Sequence, residues 1–596
     1  MPNSLHFRQF ASSHPLWTCV FCVVLATCLF SGCRKSASSQ MAQRLGQRIE
    51  EKKTKTDSLR TAMQFLDQME PLTRDNFITE IKLQLNTWIQ EADRNSVQYS
   101  ATDATGVLDA EMLAAVEATN PLKQNFGYWD VDYIFQCYVM NATAAWIAQS
   151  PVRDQVVLPY LEAHRDELDE EGFRQLEEAY KLFDWTMRNV RLKVMDSSVS
   201  DLSTNPRTLS ENSDTLGCSY LPFETAAYCE GDFVERGRVF NALAAQRGIQ
   251  TYWVAVGANE PSSGKLWAIA VAAGKNLFLF EPKLGFPVFD PDETKIATLN
   301  AAQDNPRILR RMALPGFEYA LSSADLKDIR LYVDAEPCAD SARMKLLESK
   351  LLTGERMVLY RSFDDATQLA SELAPDSKVQ LWNVPLLAQI HATALRDMLR
   401  TVNESAQDYM RKRSIWMTPN PISIGHFKHL KGQFENGDDG QAGALRDYVN
   451  SLVDELSIQR LSFDPKVREE LQVVRMPGEP LQVFEQRIVQ MQAVYRRAKR
   501  DGDFLLGQLH FDRGNYSEAR SRLENILSDD TAQRWYIPAS YTLARIQIEL
   551  GQLEQAAEQL ITYRDNPREV GNRMRLRYLR RMIDSQPEQS DQSDDS

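Results

Sequence analysis

The chain has 596 residues, 43% of them hydrophobic and 25% charged, which is ordinary for globular protein and enough for several domains. Its net charge of -14 speaks against nucleic acid as a partner, because phosphate binding needs a basic face. The densest basic run, Lys52-Lys53-Thr54-Lys55, lies in a polar segment.

The N-terminus reads as a targeting segment. Arg8 precedes an apolar run, Leu16 to Phe30, broken only by Thr18, Cys19, Cys22, Thr27 and Cys28. The run is shorter than the about 20 residues a membrane span needs. Ser31-Gly32-Cys33 closes it with small residues. This resembles a bacterial lipoprotein signal over residues 1–32, although Phe30 stands where that pattern has Leu. The resemblance implies lipidation at Cys33, a tether over residues 33–40, and an exported protein anchored at a membrane of the cell envelope. Outside the leader lie Cys137, Cys218, Cys229 and Cys338. Cys218 and Cys229 flank a small loop and form either a disulfide or two buried thiols. No Cys-x-x-Cys lies outside the leader, and no metal or other cofactor is implied.

Residues 41–200 are helical in pattern. Met63, Phe65, Leu66, Met69 and Leu72 form one stripe. Tyr128 to Ala148 is aromatic and buried, and Leu161 to Val194 is one long amphipathic run. Asp184, Trp185 and Arg188 read either as a binding edge or as a helix end packed against the next domain, with the packed end favoured.

Residues 229–257 carry the clearest local signals. Asp232 with Glu235 forms a capping box. Phe233, Gly237, Phe240 and Ala244 share a helical face, and Gly248 follows as a left-handed C′ residue. Gln250 to Val256 then alternate as a half-buried strand. Leu266–Ala272 and Leu277–Phe280 add two strands, giving an α+β pattern.

This unit resembles the transglutaminase-like superfamily over residues 201–300. Gly231-Asp232, Gly237, Gly248-Ile249, Leu266-Trp267-Ala268 and Glu281-Pro282 carry the likeness. The family places a nucleophilic Cys at the helix start, a His on a later strand and an Asp at the corner. Here those positions hold Phe233, about Leu266 and Glu281, so the resemblance implies the fold without the thiol chemistry. It predicts Phe233 in the core and no Cys–His pair within hydrogen-bond reach. Arg236 reads as a partner of Asp232 or Glu281, or as a site for an anionic group.

Residues 301–385 read as an attached α/β layer, with strands at 329–333, 357–360 and 379–382 and helices at 342–352 and 366–373. Residues 386–583 are helical. Leu506-Gly507 recurs as Leu543-Ala544, Gly514 as Gly551, Ala519 as Ala556 and Leu523 as Leu560, each 37 positions on. Residues 500–567 therefore resemble tetratricopeptide repeats. The resemblance implies a concave surface for a protein or peptide partner, with helices at 390–500 stacked on the hairpins. His426-x-x-His429 reads as two ordinary helix residues rather than metal ligands. Residues 584–596 read as an acidic disordered tail.

These readings converge on a non-catalytic, membrane-anchored envelope protein that binds a partner. Two rivals stay open. One is an envelope hydrolase or acyl-transfer enzyme acting on peptide or cell-wall bonds through a non-standard site, and the other is a purely structural subunit.

Overall fold

The computed structural model describes residues 58–69, 74–92, 125–193, 217–256, 265–319, 321–399, 420–437, 440–529, 532–563 and 566–585. The leader with Cys33, the tether, most of the polar loop near 200–217 and the tail from 586 lie outside the described residues. Among the described residues no helix is long and apolar enough to cross a membrane.

Contacts divide the chain into two units, residues 1–57 with 453–496, and residues 58–452 with 497–596. The second unit opens with helices α1 (Ser58–Gln68) and α2 (Arg74–Glu91), then α3 (Tyr128–Gln149), α4 (Leu158–Glu162) and α5 (Glu170–Asn189). The run expected from Leu161 to Val194 is thus two helices. Asp169 restarts it as an N-cap, its carboxylate accepting from the Gly172 N–H at 2.8 Å. Strand β1 (Arg191–Leu192), helix α6 (Pro222–Tyr228) and strand β2 (Glu230–Gly231) lead into α7 (Phe233–Gln246). Then come β3 (Thr251–Val256), β4 (Lys265–Ala273), β5 (Asn276–Glu281) and β6 (Phe286–Pro287), the short helices α8 (Leu299–Asp304) and α9 (Arg307–Arg311), and β7 (Ile329–Val333). Helices α10 (Ala342–Lys350) and α11 (Phe363–Leu373), strand β8 (Lys378–Leu381) and helix α12 (Val384–Leu399) follow.

Six strands make one sheet in the order β6-β5-β4-β3-β7-β8, antiparallel except for the β7–β8 pair. The stretch 301–385 therefore extends the central sheet instead of forming a layer attached to it. Strand β3 is buried on both faces, where the alternation predicted one wet face. Helix α7 covers one face, with Gly237 against Trp253 and Ile269. Helix α11 reaches the other face, where the Tyr252 hydroxyl donates to the Ala366 carbonyl at 2.7 Å. Residues 357–360 are extended but form no strand. Side chains take their backbone groups: Glu348 accepts from the Leu359 and Tyr360 N–H groups, and Gln246 bonds both N–H and C=O of Val358.

Helix α5 is wedged beside α7 and the sheet, with Phe183 5.4 Å from Phe240 and 5.1 Å from Phe280. Helices α13 (Pro421–Leu430) and α14 (Ala444–Ser451) follow. In the other unit, α15 (Glu455–Arg460), α16 (Pro465–Glu470) and the first half of α17 (Leu481–Asp512) enclose a small core of Leu461, Val467, Val473, Phe484 and Ile488. The second half of α17 pairs with α18 (Tyr516–Ser528), and α19 (Gln533–Glu549) pairs with α20 (Leu553–Ile561); α21 (Glu569–Asp584) closes the series. It takes in Asp584, the first residue of the expected tail.

The repeated small residues act as the sequence suggests. A Cβ on Gly507 would meet Leu523, and Gly514 and Gly551 both end helices in the left-handed region. Part of the 390–500 region does stack on the hairpins, through Ile422, Ala444 and Tyr448 against Phe504 and Leu505.

Candidate functional site

The start of α7 is built twice over. Asp232 and Glu235 cap the helix reciprocally at 2.8 and 2.9 Å. Their second oxygens accept from the Gly217 and Tyr220 N–H groups at 2.8 and 3.0 Å. Arg238 donates to the Gly217 carbonyl at 2.8 Å. The cap thus also pins the loop before α6. Burial, and then the Asp232 carboxylate, push Glu235 up to about 8. Burial likewise pushes Glu281 and Glu336 up to about 7.

These three carboxyls set a pH dependence. Each binds its proton more tightly folded than unfolded, so stability falls as pH rises from about 4.5 through 7 to 8. Burial also drives His426 down to about 3, so that group withdraws stability as pH falls below about 6.5. The chain is therefore expected to be more stable at pH 6 than at pH 8.5, by on the order of 3 kcal/mol. Urea midpoints at the two pH values check this, and equal midpoints would contradict it.

The three positions of the degenerate triad are packed shut. Phe233 is buried, with its ring 6.5 Å from Trp253 and the Lys283 ammonium 5.8 Å above it. Leu266 is buried on β4 opposite Ala255. Glu281 ends β5 and accepts from the Leu284 N–H at 2.7 Å, which makes it a turn residue. Arg236 lies within electrostatic reach of Glu281, but its side-chain hydrogen bonds go to backbone carbonyls. It donates to the Met187 and Pro282 carbonyls at 2.9 and 3.4 Å.

The expectation that no Cys–His pair would form is overturned. Cys229 Sγ lies 3.3 Å from His426 Nε2. The sequence hid this contact because the two residues are 197 positions apart and meet only when α13 docks on α6. Cys218 Sγ instead faces the Val384 carbonyl at 3.9 Å. Both cysteines are free and buried, which departs from the disulfide alternative.

The surroundings of the Cys229 pair oppose thiolate chemistry. Burial pushes Cys229 up to about 12. Burial first, and His429 second, drive His426 down to about 3. His426 Nε2 is also 3.1 Å from the Ala226 carbonyl, so it carries the proton and has no lone pair to offer the thiol. Nδ1 then accepts from the Tyr448 hydroxyl at 3.1 Å. Cys229 follows the carbonyl end of α6 with φ 55°, the end that disfavours a thiolate. Iodoacetamide at pH 7 should therefore leave Cys229 unmodified in the native chain and label it in urea. Rapid native labelling of the Cys229 peptide, read by mass spectrometry, would restore the enzyme reading.

From His426 a buried polar chain crosses the molecule. Tyr448 is 3.4 Å from His429, and His429 is 3.2 Å from Asp512. Asp512 pairs with Arg188 at 3.0 Å, and Arg188 with Asp184 at 3.1 Å. Arg545 bonds Asp184 at 2.5 Å and faces Asp154 at 3.4 Å, and Arg575 reaches Asp154 at 2.8 Å. Burial alone would raise Asp154; Arg545 and Arg575 outweigh it and hold the carboxyl well below its usual range. Asp184 and Arg188 are thus the packed helix end, with Trp185 6.2 Å from Trp146. His426 and His429 belong to this chain, and among the described residues no group of three or more His, Cys, Asp or Glu is placed to hold a metal ion.

Arg545, Arg575 and Asp154 escaped the sequence reading. A signal existed: Arg545 is the sole charged residue between Trp535 and Ile548, and a lone charge in an apolar helix stretch implies a buried partner.

The repeat therefore turns one face inward. Arg568 adds to that seam, donating to the Met187 carbonyl at 2.6 Å and lying 3.6 Å above the Tyr541 ring. Outward, a cleft of about 460 Å³ opens between the end of α20, helix α21 and Leu314-Pro315. Leu560, Ile561, Tyr563 and Leu576 supply its apolar wall, and Arg573, Arg577, Arg580 and Arg581 its charge. Arg577 and Arg581 converge with Arg311 on buried Glu293. A second cavity, beside Arg238 and Glu336, measures about 30 Å³, the size of one water.

No curated protein and no solved structure matches the chain. A family model for the tetratricopeptide repeat matches residues 505–569. That span holds both hairpins whose residues recur at 37 positions, so the C-terminal region is tetratricopeptide-like.

Proposed function

We propose that this chain is a non-catalytic, membrane-anchored interaction protein of a cell envelope, which holds a protein or peptide partner on its C-terminal repeat. The observation that carries this reading is a contrast within one molecule. The positions that would hold thiol chemistry are packed into the core, whereas the last repeat hairpin presents an open cleft of ligand size. Tetratricopeptide-like hairpins are compatible with such binding. The helix-on-sheet arrangement of α7 with β3 to β5 agrees with a transglutaminase-like ancestry for residues 201–300, with Phe233 and Leu266 in place of the reactive pair. Lipid on Cys33 would hold the protein at the membrane surface.

One experiment tests both halves. A photo-crosslinking residue is placed at Tyr563 in the cleft, or at exposed Glu524 on α18, and the chain is expressed with Cys33 or with Cys33→Ser. Membranes are expected to yield a discrete adduct from position 563 and none from 524, and Cys33→Ser is expected to move the protein to the soluble fraction. Equal adducts from both positions, or none, would remove the cleft as the binding surface. Membrane attachment that persists in Cys33→Ser would remove the lipid anchor.

The Cys229–His426 contact favours a second reading, an envelope hydrolase with a non-standard thiol site. It requires both groups to become exposed, and native thiol labelling decides it.

A further inference from the structure

We infer that the cavity beside Arg238 is a binding site for one ordered water, which bridges the Arg238 guanidinium to the carboxyls of Asp334 and Glu336 and so joins helix α7 to the chain that follows β7.

The donors come from Arg238, which is 1% exposed. Its Nη1 donates to the Gly217 carbonyl at 2.8 Å. Its other edge presents Nε and Nη2, and neither of these makes a hydrogen bond to the protein. That edge faces two carboxyls from too far away. Nε is 3.6 Å from Asp334 Oδ1, and Nη2 is 3.6 Å from Glu336 Oε1. Both separations exceed hydrogen-bond length, and dry, unbonded donors on a buried cation are costly.

The acceptors are held in place by other contacts. Asp334 Oδ2 accepts from Asn241 Nδ2 at 2.9 Å and from Trp253 Nε1 at 3.3 Å, which fixes the carboxylate with Oδ1 toward Arg238. Glu336 is buried and hydrogen-bonded with Gln136, yet its Oε2 makes no hydrogen bond.

Space and charge then select the ligand. Gln136, Arg238, Asp334, Glu336 and Arg361 line one cavity of about 30 Å³, room for a water and too little for an organic molecule. Two atoms 3.6 Å apart can both lie about 2.9 Å from a third. A water on the free edge of Arg238 accepts from Nε and Nη2 and donates one hydrogen to each carboxyl, so all four of its hydrogen bonds are used. A cation there would meet Arg238 and Arg361, and an anion would meet Asp334 and Glu336.

The position gives the water a role. Arg238 pins the loop before α6 with one edge, and the water holds the other edge. Asp334 also accepts from Arg361 through its carbonyl at 2.8 Å. One solvent molecule therefore sits where α7, the loop at 217–220 and the segment after β7 meet.

The test uses the full chain as wild type, Ala242→Val and Glu336→Gln. Ala242 lines the cavity, so the added methyl groups fill it, whereas Gln keeps the size and hydrogen bonding of Glu336. A high-resolution crystal structure of the wild type is expected to show a water about 2.7–3.2 Å from Arg238 Nε or Nη2 and from an oxygen of Asp334 or Glu336. Oxygen-17 relaxation dispersion of the solvent counts waters held as long as the protein tumbles. That count is expected to fall by one in Ala242→Val and to stay the same in Glu336→Gln. Amide exchange over 217–220 is expected to be several-fold faster in Ala242→Val. Density that refines as an ion, Arg238 bonded directly to both carboxyls with no water beside it, or an unchanged count in folded Ala242→Val overturns the proposal. If Ala242→Val does not fold, the wild-type density decides alone.

Discussion

Arg545→Ala is expected to destabilise the chain by about 3–5 kcal/mol, the cost of removing one partner from a buried ion-pair network. Arg545 is 0% exposed in its side chain and sits between Asp184 and Asp154. Its loss leaves Asp184 with Arg188 and Asp154 with Arg575, two carboxylates that share less compensation without gaining any solvent. The seam joins the repeat to α5, so the loss should fall on the whole of the larger unit and lower its urea midpoint. Arg520→Ala is the control. That residue is half-buried, pairs with Glu524 at 2.7 Å on α18 and donates to Gln552 at 3.2 Å, contacts that contribute about 1 kcal/mol or less together. A midpoint for Arg545→Ala within about 1 kcal/mol of wild type would show that apolar packing, not the ion pairs, holds the seam.

Gly237→Val is expected to have the second large effect, a loss of about 3 kcal/mol or more, or failure to accumulate as soluble protein. A Cβ at this position would overlap the six-membered ring of Trp253 and press on Ile269. Trp253 has nowhere to go. Its ring is 5.5 Å from Trp382, and its indole N–H donates to Asp334 at 3.3 Å. Helix α7 must therefore lift off the sheet, and with it the cap that pins Gly217 and Tyr220. Thermal unfolding of Gly237→Ala and Gly237→Val measures this, and a variant as stable as wild type would mean that the helix and sheet have room between them. Gly248→Ala makes a useful contrast, because no atom lies near the added Cβ and only the left-handed backbone, φ +68°, opposes it; about 1 kcal/mol is expected there.

The Arg545 prediction concerns a repeat that serves the fold as much as any partner. A tetratricopeptide-like array was expected to offer a concave surface. Here Arg545, Arg568 and Arg575 fill one of its faces with contacts to Asp154, Asp184 and the Met187 carbonyl. Deleting residues 500–580 would consequently remove part of the core, so loss of a partner on deletion would not identify the binding surface. Substitutions confined to the cleft avoid that ambiguity.

Local chemistry was legible in the chain itself. Asp232 and Glu235 announced a capped helix, Phe233, Gly237, Phe240 and Ala244 its shared face, Gly248 a left-handed exit, and the 37-residue recurrence a pair of hairpins. Each of these depends on residues within a few positions of one another, or on a repeated spacing, and backbone sterics and short-range hydrogen bonding act at that range. What the sequence left undecided was which distant groups meet. The second face of β3, the Gln246 bonds that hold Val358, the Cys229–His426 contact and the ion pairs from Arg545 to Asp154 and Asp184 all join residues more than 100 positions apart. Burial decides their chemistry, because desolvation turns the same thiol and imidazole from a reactive pair into a neutral packing contact. The sequence by itself determined the capped helix at Phe233–Gln246, its exit and the repeat. Only the tertiary structure decided which charged groups lost their water, and therefore which of them hold the fold and which line the open α20–α21 cleft.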